Sequence, residues 1–219
     1  MAKVRALALP RAAALALALA CAAAAATDAA APMQSEYLAT GLYLVRGGGA
    51  NSVVRMCAAG LIVVDAKAPG QYRALMSQVH RLNKLSDLPV RALLLTGPEP
   101  AHAGNAAAFE AAGVRVVARE EVLRRLELPA IAPGAAPVAF ERGYSLKLGG
   151  VEARLVSLDE GGTAVLFPDL RVVVAGEALA SRDAAALRAL LALPFDRAIP
   201  PEGGALSRAE VEALAAKAD

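Results

Sequence analysis

Side chains able to act as nucleophiles, general bases or metal ligands are few in this 219-residue chain, which holds two histidines and two cysteines. His80 falls among Tyr72, Leu75, Met76, Val79 and Leu82, whose three- and four-residue spacing is helical, and its neighbours Gln78 and Arg81 put it on the solvated face. His102 lies just beyond an apolar run that ends at Thr96, and Glu99 stands before it between Pro98 and Pro100. With so few imidazoles a Ser–His triad has almost no candidates, and no Gly-x-Ser-x-Gly elbow occurs. Gly47-Gly48-Gly49 is not followed by the Lys-Ser/Thr that a phosphate-cradling loop requires. Cys57, in the alternating stretch 52–58, reads as a small buried hydrophobe, and with only Cys21 as company it gives the body of the chain no internal disulfide. Aromatic residues make up 4%, too few and too scattered for base stacking, and no basic stripe is present, so nucleic acid is not an expected partner.

The elements that must position these residues alternate in type along the chain. Residues 37–46 and 52–58 are strand-like around the glycine triplet. The continuous apolar run 61–64, ending at Asp65, and the run 91–96, ending at Thr96, predict strands buried on both faces. Between them, 70–84 predicts a helix. The Ala-rich stretch 101–112 predicts another, stopped by Gly113. A strand over 114–118 and a short helix over 120–126 follow, then a Pro/Ala/Gly loop at 129–137. Four short strands at 144–148, 151–158, 163–167 and 171–175 precede a helix at 184–193. A final helix over 206–218 carries Ser207 and Glu210 spaced as a capping box. Strands buried on both faces need helices outside them, which predicts an α/β architecture of two sheets face to face with helices on both outer surfaces.

Several motifs occur in the order of one known family. The run 93–105 (Leu-Leu-Leu-Thr-Gly-Pro-Glu-Pro-Ala-His-Ala-Gly-Asn) resembles the segment of the metallo-β-lactamase superfamily in which a strand ending in Thr is followed by His-x-His-x-Asp-His. Residues 41–46 are similar to the first strand of that family, and 60–65 to the strand ending in its structural Asp. Residues 166–177 are similar to the segment ending in Gly-Asp, and 198–203 to the Pro-Gly-His-Gly loop. The resemblance spans most of residues 40–212 and implies a four-layer αβ/βα sandwich, with Asp65 in a structural role.

What it implies for chemistry is a depleted metal centre. On the family pattern the first His falls on Gly97, the second on Glu99, the Asp on Ala101 and the last His on His102. The mid-chain His falls near Leu158, the bridging Asp on Glu177 and the final His on Glu202. Family hydrolases use one or two zinc ions to make hydroxide available near neutral pH, and a catalytic zinc needs three protein ligands and an open position. The first metal position keeps only Glu99 and should be empty. The second keeps His102, Glu177 and Glu202, with Glu99 nearby, a donor set suited to one Zn2+ or a similar divalent metal. The expectation is a non-hydrolytic binding or accessory protein with no cofactor, taking a small molecule or a protein partner. The alternative is a hydrolase with an altered mononuclear site.

Residues 1–26 carry Lys3, Arg5 and Arg11, then an apolar run, then small residues, the layout of a secretory signal peptide. Three of the basic residues behind the formal charge of +2 lie there, so the basicity belongs to this segment. An uncleaved anchor is the other reading, although the segment lacks the roughly 20 strongly apolar residues of a span. Ala-Leu-Ala-Cys, ending at Cys21, resembles a lipoprotein processing site, and once the segment is cleaved, lipidation of Cys21 is the only route to a membrane. Residues 27–36 read as a flexible leader and 37–219 as a single domain. The expected location is periplasmic or secreted.

Overall fold

The computed structural model describes residues 32–126, 128, 136–158 and 162–218. Strands β1 (Gln34–Ala39), β2 (Leu42–Arg46), β3 (Ser52–Cys57) and β4 (Gly60–Val64) form an antiparallel meander. β5 (Val90–Leu94), β6 (Arg115–Arg119) and β7 (Val138–Phe140) extend it in parallel into a seven-stranded sheet in chain order. Helices α1 (Tyr72–Leu82), α2 (Pro100–Ala103), α3 (Ala106–Ala111) and α4 (Glu120–Leu126) lie in the crossovers. The second sheet has six strands: β8 (Gly143–Leu148), β9 (Val151–Ser157), β10 (Thr163–Phe167), β11 (Val172–Val174), β12 (Arg197–Ile199) and β13 (Leu206–Ser207). Its one parallel pair, β11–β12, is joined through α5 (Gly176–Ser181) and α6 (Ala184–Leu191), and α7 (Arg208–Ala218) follows β13.

The layers follow from side-chain alternation. Along β4, Ile62 and Val64 face the core between the sheets, while Leu61 and Val63 face outward against Leu75 and Val79 of α1 and Phe109 of α3. Along β10, Val165 and Phe167 enter the central core, while Ala164 and Leu166 meet α5, α6 and α7 through Ala178, Leu187 and Val211. The result is the four-layer αβ/βα sandwich expected from the sequence. No helix among the described residues is long and apolar enough to cross a membrane.

Local boundaries differ from the sequence reading in several places, and β7, α5 and β12 were not read from it. The run 37–46 is two strands, β1 and β2, because Gly41 turns the chain at φ 66 and a Cβ there would stand 2.8 Å from Arg55 Nη1. β1 begins at Gln34, inside the segment read as a leader. The stretch 101–112 is two short helices, since Gly104 and Asn105 break it where Pro69 presses against Gly104. Residues 206–207 form β13 against β12, and the helix starts at Arg208. The capping box is present on the residues read from the sequence: Ser207 N donates to Glu210 Oε2 (2.7 Å) and Glu210 N donates to Ser207 Oγ (3.3 Å). The signal segment, Cys21 and most of the loop at 129–137 lie outside the described residues.

Candidate functional site

The ends of β4, β5, β11 and β12 carry four of the five resembling segments, and hydrogen bonds draw their loops to one edge of the sandwich. Ala66 N donates to His102 O (2.5 Å), Ala50 N to Ala101 O (3.2 Å) and Asn51 N to Pro201 O (2.6 Å). Thr163 N donates to Thr96 O (2.9 Å), which ties the second sheet to the end of β5. Gly162, at φ 79, makes that approach possible, because a Cβ would lie 2.9 Å from Thr96 O and 3.1 Å from Glu177 Cβ.

Asp65 is the hub. It leaves β4 in a left-handed conformation (φ 60) that Asp tolerates better than most residues, and it is 1% exposed. Its Oδ1 accepts from Thr96 N (2.8 Å), and its Oδ2 accepts from Thr96 Oγ1 (2.7 Å) and His102 Nδ1 (2.8 Å). Ser52 Oγ donates to the Asp65 carbonyl (2.7 Å). A carboxylate only accepts, so His102 presents Nδ1–H to Asp65 and keeps Nε2 for anything else. His102 lies in the single turn of α2, is 5% exposed and crowds Gly176, whose Cβ would stand 2.5 Å from the imidazole Cε1. Burial works to lower the His102 pKa. The charge of Asp65, its hydrogen bond, and the charges of Glu99 and Glu177 outweigh burial and raise it above the ordinary value of 6.5.

The residues singled out from sequence part company here. Glu99 and Glu177 both come within electrostatic reach of His102. Glu99 is half-buried: its Oε2 is buried without a hydrogen-bond partner among the described residues, and a Cβ on Gly97 would collide with it. Glu202 is exposed on a loop pinned from below by Asn51 Nδ2, which donates to Pro200 O (2.9 Å) and Gly203 O (3.0 Å). It borders a hollow of about 380 Å3 with Arg46, Gly49 and Gln34. Leu158 is buried in the core between the second sheet and its helices. His80 is exposed on α1, and Cys57 is buried, with its Sγ donating to Gly60 O (2.9 Å).

Three of the seven family donor positions carry no metal-binding side chain. Gly97 and Ala101 offer no donor atom, Leu158 is apolar core, and Glu202 is exposed on its loop. Among the described residues no group of three or more His, Cys, Asp or Glu side chains could hold a metal.

Sequence reasoning missed the residues that make the edge rigid. Lys67, also left-handed (φ 67), is fully buried, and its Nζ donates to Val45 O (2.6 Å) and Ala50 O (2.8 Å), clamping both ends of the glycine loop. Asn105 Nδ2 donates to Ala66 O (2.6 Å) and Ala68 O (2.7 Å), holding the chain beyond Asp65. A lysine three places after a buried strand carries no local mark of burial. Asn105 was visible only as part of the resembling motif.

Comparison with known proteins places the architecture. No protein-family model matches the sequence, and no curated protein matches it. Solved structures do match in shape. A metallo-β-lactamase from Pontibacter korlensis is similar over 84% of this chain and 97% of its own, at 13% identity and a TM-score of 0.71. The DIM-1 metallo-β-lactamase is similar over 86% and 97%, at 14% identity and a TM-score of 0.69. The inverting sec-alkylsulfatase Pisa1 from Pseudomonas sp. is similar over 85% of this chain and 41% of its own, at 14% identity and a TM-score of 0.65. The chain therefore has the metallo-β-lactamase fold. The activities of these neighbours differ from one another, and fold alone carries none of them across.

Proposed function

We propose that this chain is an exported protein of the metallo-β-lactamase fold that binds a small molecule or a protein partner and does not hydrolyse it. The observation that supports this reading most is the lack of a donor side chain at Gly97, Ala101 and Leu158, with Glu202 exposed on its loop. The edge of the sandwich remains a shaped, hydrogen-bonded surface without the three ligands that zinc catalysis needs. Export rests on the layout of residues 1–26, with cleavage between Cys21 and Thr27 or lipidation of Cys21. N-terminal sequencing of protein from the native cell envelope tests it, and a mature pool beginning at Met1 counts against cleavage.

A second reading has one observation in its favour. The partnerless Glu99 Oε2 sits with Glu177 around His102, the start of a donor set for a mononuclear hydrolase completed by Glu202. Metal analysis of the full chain purified without chelator separates the two. The proposal expects well under one zinc per chain and no zinc-dependent hydrolysis of lactam, thioester or phosphodiester probes. A stoichiometric metal released by His102→Ala or Glu202→Ala moves the protein to the hydrolase class.

A further inference from the structure

A second hollow, of about 520 Å3, opens on the helical side of the 200–204 loop and is larger than the one beside Arg46. Its wall is apolar: Leu179 from α5, Leu206 from β13, Leu214 from α7, and Pro200. Two charged residues line it, Arg182 and Glu202. A largely apolar wall with a few polar groups at a volume of roughly 300–1,000 Å3 is the usual make-up of a small-molecule site.

Arg182 gives the hollow its chemistry. It is exposed and makes no hydrogen bond or ion pair among the described residues, in contrast to Arg171 and Arg208, which hold Asp196 and Glu212. It also occupies the left-handed cap of α5 at φ 55, a conformation in which glycine is the unstrained choice. Asp183, the next residue, is fixed as the cap of α6 through Ala186 N (2.8 Å), so the Arg182 backbone is held between two helices. A free guanidinium on a strained, fixed backbone at the mouth of an apolar hollow is arranged to take an anion.

We propose that this hollow binds a small monocarboxylate with an apolar body. The hydrocarbon lies against Leu179, Leu206 and Leu214, and the carboxylate pairs with the Arg182 guanidinium. Glu202, on the rim shared with the neighbouring hollow, repels a second anion and sets the carboxylate at the Arg182 end. The site shares Glu202 with the donor set around His102 and otherwise stands apart from it.

Isothermal titration of the full chain with decanoate, decanol and decylammonium tests the proposal. Decanoate is expected to bind once per chain, with decylammonium at least about tenfold weaker, the scale of a charge-assisted pair. Arg182→Gly removes the guanidinium and relieves the left-handed strain. It should melt no lower than wild type and bind decanoate about tenfold more weakly. Glu202→Gln should bind decanoate at least as tightly as wild type. Absence of saturable decanoate binding overturns the proposal. So does undiminished binding by Arg182→Gly, equal binding of decylammonium, or weakened binding by Glu202→Gln. Zinc measured in the same preparations reports separately on the His102 centre, so the two readings fail independently.

Discussion

Asp65→Asn is the sharpest probe of what holds the candidate site together. The wild-type carboxylate accepts from Thr96 N, Thr96 Oγ1 and His102 Nδ1, all buried. Asn keeps tolerance of the left-handed backbone and one acceptor oxygen, so a bond to Thr96 N survives. Its amide nitrogen would then face the threonine hydroxyl and the imidazole N–H, and the His102 cation loses its nearest counter-charge. Breaking one side of a buried pair costs about 3–5 kcal/mol. With the surviving bond, about 2–4 kcal/mol is expected. For a domain of this size that lowers the melting temperature by roughly 4–16 °C.

The pH dependence adds a second test. His102 titrates higher in the folded than in the unfolded state, so the stability it contributes is full below the unfolded value of 6.5. That stability is lost as pH rises through the folded value. Wild type should therefore lose stability from this group as pH climbs above neutrality, and Asp65→Asn should lose much less. Urea unfolding at a series of pH values from 6 to 9 measures both quantities. An unchanged midpoint in Asp65→Asn, or an identical pH profile in the two proteins, refutes the argument that this carboxylate anchors the imidazole.

Lys67→Met keeps the length of the side chain but strips the Val45 and Ala50 carbonyls of their donor, and should destabilise by about 2–4 kcal/mol in urea unfolding. A neutral result means that the glycine loop does not rely on this clamp. Gly97→His restores a family ligand in name only. Its Cβ displaces the Glu99 carboxylate, so calorimetry should show a loss of about 1–3 kcal/mol in stability and no gain in zinc uptake. Tight zinc binding by this variant would show that the centre is one residue short instead of dismantled.

What the sequence by itself determined lies in short-range pattern. The run 61–64 has no polar member, and only a strand covered on both faces accommodates it; β4 is buried throughout. The Ser207–Glu210 spacing places a helix start because both partners of the capping box lie within one turn. The order of such elements was enough to specify two sheets with helices outside.

The tertiary structure decided where side chains at the element ends point. Asp65 meets Thr96 and His102 across separations of 31 and 37 residues, and no local propensity encodes that meeting. Pro69, 35 residues away, leaves no room for a Cβ at Gly104, where alanine content alone predicted one continuous helix. Glu99 turns inward although two prolines frame it, while Glu202 is left exposed on a loop held by Asn51. Periodicity is a property of neighbouring residues and survives in the sequence. The convergence of donors depends on the packing of loops against one another, and only the folded chain sets it.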